Sequence, residues 1–196
     1  MIKNINNNKT FFIIPLLILI FFGTRISTIK RQIPPIIGKM PDFNMLSHSG
    51  ELITSDNFND KYTIIDFMYT ECTEICPRMT SHTKFLYDKY ENFHNVQFLS
   101  ISVDPQNDTP EVLNEYANLN KVKDDRWKFI YGNINDVKTF ARRAFSILSD
   151  DFPASHSRRM FLIDKDGFYR QSYNGTTKKD IGLLTSHLER LLNNNL

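Results

Sequence analysis

Cysteine is scarce in this 196-residue chain: there are two, Cys72 and Cys76. Two do not make a disulfide framework. No C-x-x-C-H run offers haem attachment, and no second cysteine pair completes a four-ligand structural zinc site. A cysteine protease would need a histidine with a supporting Asn or Asp and would leave the second cysteine unexplained. The seven glycines form no phosphate-cradling loop. Charge of one sign is also missing. A net charge of +2 gives no case for nucleic acid as a partner.

That small charge is unevenly spread. Lys3, Lys9, Arg25, Lys30 and Arg31 are the only ionic residues before Gln32; beyond them 19 basic residues face 22 acidic ones, a net of −3. The basic segment holds the longest apolar run, the twelve residues Phe11 to Phe22. As a helix it would span about 18 Å, short of a hydrocarbon core of about 30 Å. Thr10, Gly23 and Thr24 could extend it, with the flanking lysines and arginines snorkelling. No small-x-small cleavage site follows, which favours an uncleaved anchor over a cleaved signal. No cysteine follows the run closely enough for a lipoprotein anchor. The segment lacks the Arg- and Ser-rich character of a transit peptide, so the expectation is a bacterial inner-membrane protein with its domain facing the periplasm, ahead of a mitochondrial inner-membrane one. The expected organisation is a tail over 1–10, an anchor or signal over 11–24, a linker over 25–40, one folded domain over 41–192 and a tail over 193–196.

Within the domain, Asp42 to Met45 and Glu51 to Thr54 flank Ser47-His48-Ser49-Gly50 and read as a hairpin. Tyr62 to Tyr69, Val96 to Val103 and Trp127 to Tyr131 are apolar enough for strands buried on both faces. Helices are expected from Pro77, from Thr109-Pro110 and over Val137 to Phe145, the first two opened by a first-turn proline. After a loop from Leu148 to Ser155, Arg158 to Ile163 and Phe168 to Tyr173 form strands around the turn Asp166-Gly167. Lys178 to Leu192 closes the chain as a helix. Strands alternating with helices, then a terminal hairpin and helix, predict one mixed sheet covered on both faces. The fold class is α/β: a thioredoxin-like fold with an extra N-terminal β-hairpin.

The chemistry concentrates in Asp66 to Met79, DFMYTECTEICPRM. On a helix Cys72 and Cys76 would lie one turn apart, their Cα atoms roughly 6 Å from each other, within disulfide range. A helix beginning at Pro77 places Cys76 at the positive end of its dipole, so Cys76 is the expected thiolate. The pair makes a redox site, and two thiolates also make a soft metal site that selects Cu(I) or Zn(II). Among the histidines, His82, His94 and His187 read as surface residues and His48 as a turn residue. His156 stands apart, at the entrance to a strand after a long loop. In a thioredoxin-like fold that entrance faces the cysteine loop; a thioredoxin carries a cis-proline there, and Pro153 lies three residues earlier. Spacing alone leaves His156 open between ligand and bystander. Met68, Met79 and Met160 read as core. Asp104 reads as capping the turn at Pro105 rather than as part of the site.

The chain resembles the Sco/SenC family. The matching stretches are IIDFMYTECTEICPRMT, SISVDPQNDTPEVLNEYA, WKFIYGN, HSRRMFLIDKDGFYRQSYNG and the leading PDFNMLSHSGELITSDNF, covering Pro41 to Leu192. The combination of C-x-x-x-C-P, V-D-P-x-x-D-T-P and a histidine before a strand carries the likeness. Ala154-Ser155 stand where the family pattern has an acidic residue before the histidine. The resemblance implies a domain anchored to an energy-transducing membrane. It would bind copper, as Cu(I) or Cu(II), through Cys72, Cys76 and His156, and assist assembly of the dinuclear copper site of cytochrome c oxidase. The implied partners are the oxidase copper-binding subunit, other copper chaperones and thiol reductants. Two other readings stand beside this one: a thiol-disulfide oxidoreductase using Cys72 and Cys76, and a redox or copper sensor. His156 separates them, because dithiol exchange has no strict need of it.

Overall fold

The computed structural model describes residues 33–147, 152–153 and 157–193. In chain order the elements are β1 (Gly38–Lys39), β2 (Asn44–Ser47), β3 (Leu52–Thr54), β4 (Tyr62–Met68), α1 (Cys76–Lys89), β5 (Val96–Ser102), α2 (Pro110–Leu119), β6 (Trp127–Tyr131), α3 (Ile134–Phe145), β7 (Arg159–Ile163), β8 (Phe168–Asn174) and α4 (Lys178–Asn193). The apolar run Phe11 to Phe22 and the tail after Asn193 lie outside the described residues. Among those described, no helix is long and apolar enough to cross a membrane.

All seven residues of β4 are buried, as are all seven of β5. Side chains alternate across a strand, so β4 feeds two cores. Ile64 and Met68 join one apolar cluster with Met79, Leu86 and Tyr87 of α1, Leu113 of α2 and Leu184 and Leu188 of α4. Ile65 and Phe67 join the other, with Val137, Phe140 and Ala141 of α3. Each such large side chain contributes roughly 1.5–3 kcal/mol by leaving water. The sheet is therefore held between three helices on one face and one on the other.

The strands form a single sheet in the order β1-β8-β7-β4-β5-β6-β2-β3. β4 pairs in parallel with β5, and β5 with β6. β7 joins β4 antiparallel, Ile64 opposite Leu162, and β8 follows β7 antiparallel. The leading hairpin β2–β3 is part of this sheet: Leu46 and Ser47 pair with Tyr131 and Ile130 of β6. At the opposite rim the two residues of β1 pair with β8. Both outermost strands are short, three residues at β3 and two at β1. β1 falls inside the stretch expected to be a linker.

One carboxyl interrupts the buried run of β4. Asp66 lies on the α1 side of the sheet, 4% exposed, and accepts a hydrogen bond of 3.0 Å from Thr83 Oγ1 of α1. Burial pushes its carboxyl up to about 6, against the opposing hydrogen bonds from Ser100 and Thr83. Gly175, just past β8, is a point of close approach. A Cβ there would stand 3.1 Å from Met160 Cγ and from Met79 Cε.

Candidate metal centre

β4 ends at Met68 and the chain turns through Tyr69 to Ile75 before α1 begins. Ile75 caps α1 with no side-chain hydrogen bond, and Pro77 occupies the first turn. A helix start leaves its first N–H groups without intrahelical partners. Here they turn back to a sulfur. The Cys76 N–H donates to Cys72 Sγ at 3.4 Å, and the N–H groups of Glu74 and Ile75 also point to that sulfur. The Cys72 N–H is itself taken by Tyr69 O at 3.3 Å. The loop is thus a small concave nest of backbone donors around one sulfur, the arrangement that binds anions.

The two thiols consequently differ. Burial pushes the Cys72 thiol up, but the donors from Cys76, Glu74 and Ile75 outweigh it and bring it below the ordinary value. Burial pushes the Cys76 thiol up strongly, and the facing Cys72 and Asp66 charges add to the rise, with only the Tyr69 N–H opposing. This corrects the expectation that Cys76 is the thiolate. Cys76 does sit at the first helical position, yet the positive end of α1 is delivered to Cys72 four residues earlier. Exposure follows the same order: Cys72 is 7% exposed and Cys76 1%. Neither sulfur is in a disulfide.

Cys72, and not Cys76, lines a cleft of about 310 Å³ formed with Tyr69, Glu71, Thr73, Glu74, Ile75 and Arg158. The Tyr69 phenol is pushed up, first by burial and then by the charge of Cys72, to which it is hydrogen-bonded. Sequence reasoning missed Tyr69 and Arg158. Tyr69 belongs to the cysteine motif, but a tyrosine ending a buried strand reads as core.

His156 lies outside the described residues. Of the residues around it, Phe152 and Pro153 are joined by a cis peptide, and Arg158, two residues on, lines the cysteine cleft. Among the described residues no group of three or more His, Cys, Asp or Glu side chains gathers as a metal cluster. His94 is exposed as expected. His187 corrects the surface reading: it is 4% exposed and its Nδ1 is 2.8 Å from the Tyr173 hydroxyl. His82 is half-buried, with Nδ1 2.7 Å from Gly175 O. His48 packs edge-on to Phe129 and accepts its N–H at 3.3 Å. Met68, Met79 and Met160 are buried in the core. Asp104 holds its own turn, accepting from Asn107 Nδ2 at 2.8 Å. The acidic side chain that does reach the cysteine loop is Asp108, whose Oδ1 accepts the Thr70 N–H at 3.1 Å.

Comparison with known proteins places these features in a wider set. A family model described as SCO1/SenC matches residues 37–193. The SCO1 protein homolog of Bacillus subtilis is 28% identical over 148 residues, which cover 72% of this chain and 76% of that protein. The structure of BsSco, described as having a disulfide switch and as a member of the Sco family of cytochrome c oxidase assembly proteins, superposes with a TM-score of 0.72 at 25% identity, covering 82% of this chain and 97% of that one. The Arabidopsis thaliana ScoI structure with copper bound gives a TM-score of 0.64 at 25% identity over 81% of this chain and 99% of that one. The mixed sheet is the thioredoxin-like fold of these Sco structures.

Proposed function

This chain belongs to the SCO1/SenC family, and on that premise we propose that it is a copper metallochaperone that assists assembly of the dinuclear copper site of cytochrome c oxidase. One observation carries the reading: a reduced pair of sulfurs in which Cys72 sits in a nest of N–H donors, with Cys76 four residues on and its N–H bonded to the Cys72 sulfur. Thiolates are soft donors suited to Cu(I). Cys72 and Cys76 would hold the ion, with His156 as third ligand. The position of Arg158 on the cleft supports that assignment, because it leaves His156 only two residues from the wall that Cys72 lines. Copper is the cargo. Three protein donors leave its coordination open to the ligands of an oxidase subunit, to which it would pass.

In this reading residues 11–24 anchor the protein, 25–40 include the stalk and 41–192 form the working domain, outside the cytoplasm on the periplasmic face of a bacterial inner membrane. Other copper chaperones and thiol reductants would load and reduce the site. The asymmetry of the thiols favours a second reading, thiol-disulfide exchange. The Cys72 thiolate would attack a partner disulfide, releasing one partner thiolate and forming a mixed disulfide. Cys76, on losing its proton, would then displace the second partner sulfur from Cys72. Two electrons pass from the pair to the partner.

The test is copper binding by the reduced chain under anaerobic conditions, against Cys72→Ala, Cys76→Ala and His156→Ala. One copper per chain, weakened by each substitution, is the expected result. Wild-type affinity in His156→Ala would sink the three-ligand site. Absence of stable copper, together with a readily reducible Cys72–Cys76 disulfide, would move the assignment to exchange.

A further inference from the structure

We propose that Asp108 is a positioning residue for the cysteine loop, and that this is the contribution of the second aspartate in V-D-P-x-x-D-T-P. The inference rests on the reading of Cys72 and Cys76 as the working pair. Asp108 is 1% exposed. Its Oδ1 accepts the Thr70 N–H at 3.1 Å and the Thr70 hydroxyl at 2.5 Å. Its Oδ2 accepts the Ser102 hydroxyl at 2.5 Å. A buried carboxyl is retained only where its acceptors are used. None of these three bonds closes Asp108's own turn. That turn is held by Asp104, through Asn107 and the Asp108 N–H.

The bond to the Thr70 N–H matters most. That N–H and the Tyr69 carbonyl belong to one planar amide. Asp108 holds the amide by its N–H edge, and the Cys72 N–H bonds to its carbonyl edge at 3.3 Å. The Tyr69 N–H, one residue back, reaches the Cys76 sulfur. Fixing the Tyr69–Thr70 plane therefore sets where the loop places both sulfurs. Asp108 is itself held rigidly. Its N–H donates to Asp104 O at 2.9 Å, and the next residue, Thr109, caps α2. Ser102, its other partner, ends β5, so the carboxylate ties the loop to the sheet.

An asparagine at 108 keeps an acceptor for Thr70 and can donate from Nδ2 to the Ser102 hydroxyl, but it takes the charge out of both bonds. The test compares the full-length reduced chain with Asp108→Asn, Thr70→Val and Ser102→Ala, by amide hydrogen exchange and by the rate of Cu(I) release to a chelator. In Asp108→Asn, exchange over residues 69–76 and copper release should each rise about tenfold, the loss of about 1.4 kcal/mol in a charge-assisted hydrogen bond. In Thr70→Val, which keeps the N–H bond and replaces a half-buried side chain, both should rise about threefold. Ser102→Ala, which removes the tie to the sheet and leaves both Thr70 bonds, should raise the loop's exchange, measured against that of β7, by less than Asp108→Asn does.

The proposal is overturned if loop exchange is unchanged in folded Asp108→Asn, or rises only in step with β7. Should Asp108→Asn not fold, unchanged loop exchange in Thr70→Val overturns it equally. A wild-type chain that takes up no copper refutes the metallochaperone reading and leaves the exchange measurements to decide the tether.

Discussion

Replacing Asp66 by asparagine should stabilise the protein near neutral pH and do little in acid. The carboxyl lies under α1, 4% exposed, and burial raises it from 3.8 to about 6. Between those values the folded state holds a proton that the unfolded state has released. Stability therefore falls as pH rises from about 4 to about 6 and stays at the lower level above that. Two pH units at 1.36 kcal/mol each make the cost of the buried charge about 3 kcal/mol at pH 7. The amide of Asp66→Asn would carry no such charge and still offer Thr83 an acceptor. Urea unfolding of the reduced, copper-free wild type and Asp66→Asn at several pH values from 4 to 7.5 would read this out. The difference between the two curves is the observable, because His48 titrates in the same window with the opposite sign. Burial lowers His48, so its contribution is lost as pH falls. The two proteins should be nearly equal at pH 4 and diverge by up to about 3 kcal/mol by pH 7. A difference that does not change with pH would refute the argument.

The thiol asymmetry predicts that Cys76→Ser, which retains Cys72, is alkylated faster by iodoacetamide at pH 7 than Cys72→Ser, which retains Cys76; equal rates would contradict the nest around Cys72. Gly175→Ala should cost about 1–3 kcal/mol in denaturant unfolding by crowding Met79 and Met160, and Gly182→Ala, where a Cβ meets nothing within 4 Å, should not destabilise. Thr109→Ala removes the hydroxyl that accepts the Val112 N–H and should lower stability by about 1 kcal/mol in the same assay.

The central strands and the four helices were legible because their signals are local. β4 and β5 are apolar runs, α1 and α2 open on prolines, and Asp166-Gly167 marks the last hairpin. β1 was not, since Gly38-Lys39 is too short to show a period and exists only because β8 offers an edge. His187 misled because residue type suggested the surface, while its partner Tyr173 lies on another element. The cysteine pair was plain in its spacing, but the ranking of the two thiols came out reversed. Residue patterns mark the start of a helix; they do not tell which sulfur the preceding loop folds onto the free N–H groups. Asp108 stood in a matching motif without a role because its partner Thr70 is 38 residues away.

The two narrow rims of the sheet bear on how this protein keeps company. An exposed strand edge is a template on which another chain can lay down a strand, and long flat edges invite aggregation. Here β3 and β1 offer only three and two residues. On that second rim β8 runs on for five residues past its pairing with β1, a longer stretch of edge. Leu46 and Leu52, paired across the hairpin and both exposed, could still make a sticky spot, but one too small to seed a fibre. The cysteine loop, by contrast, leaves β4 at the centre of the sheet, away from both rims.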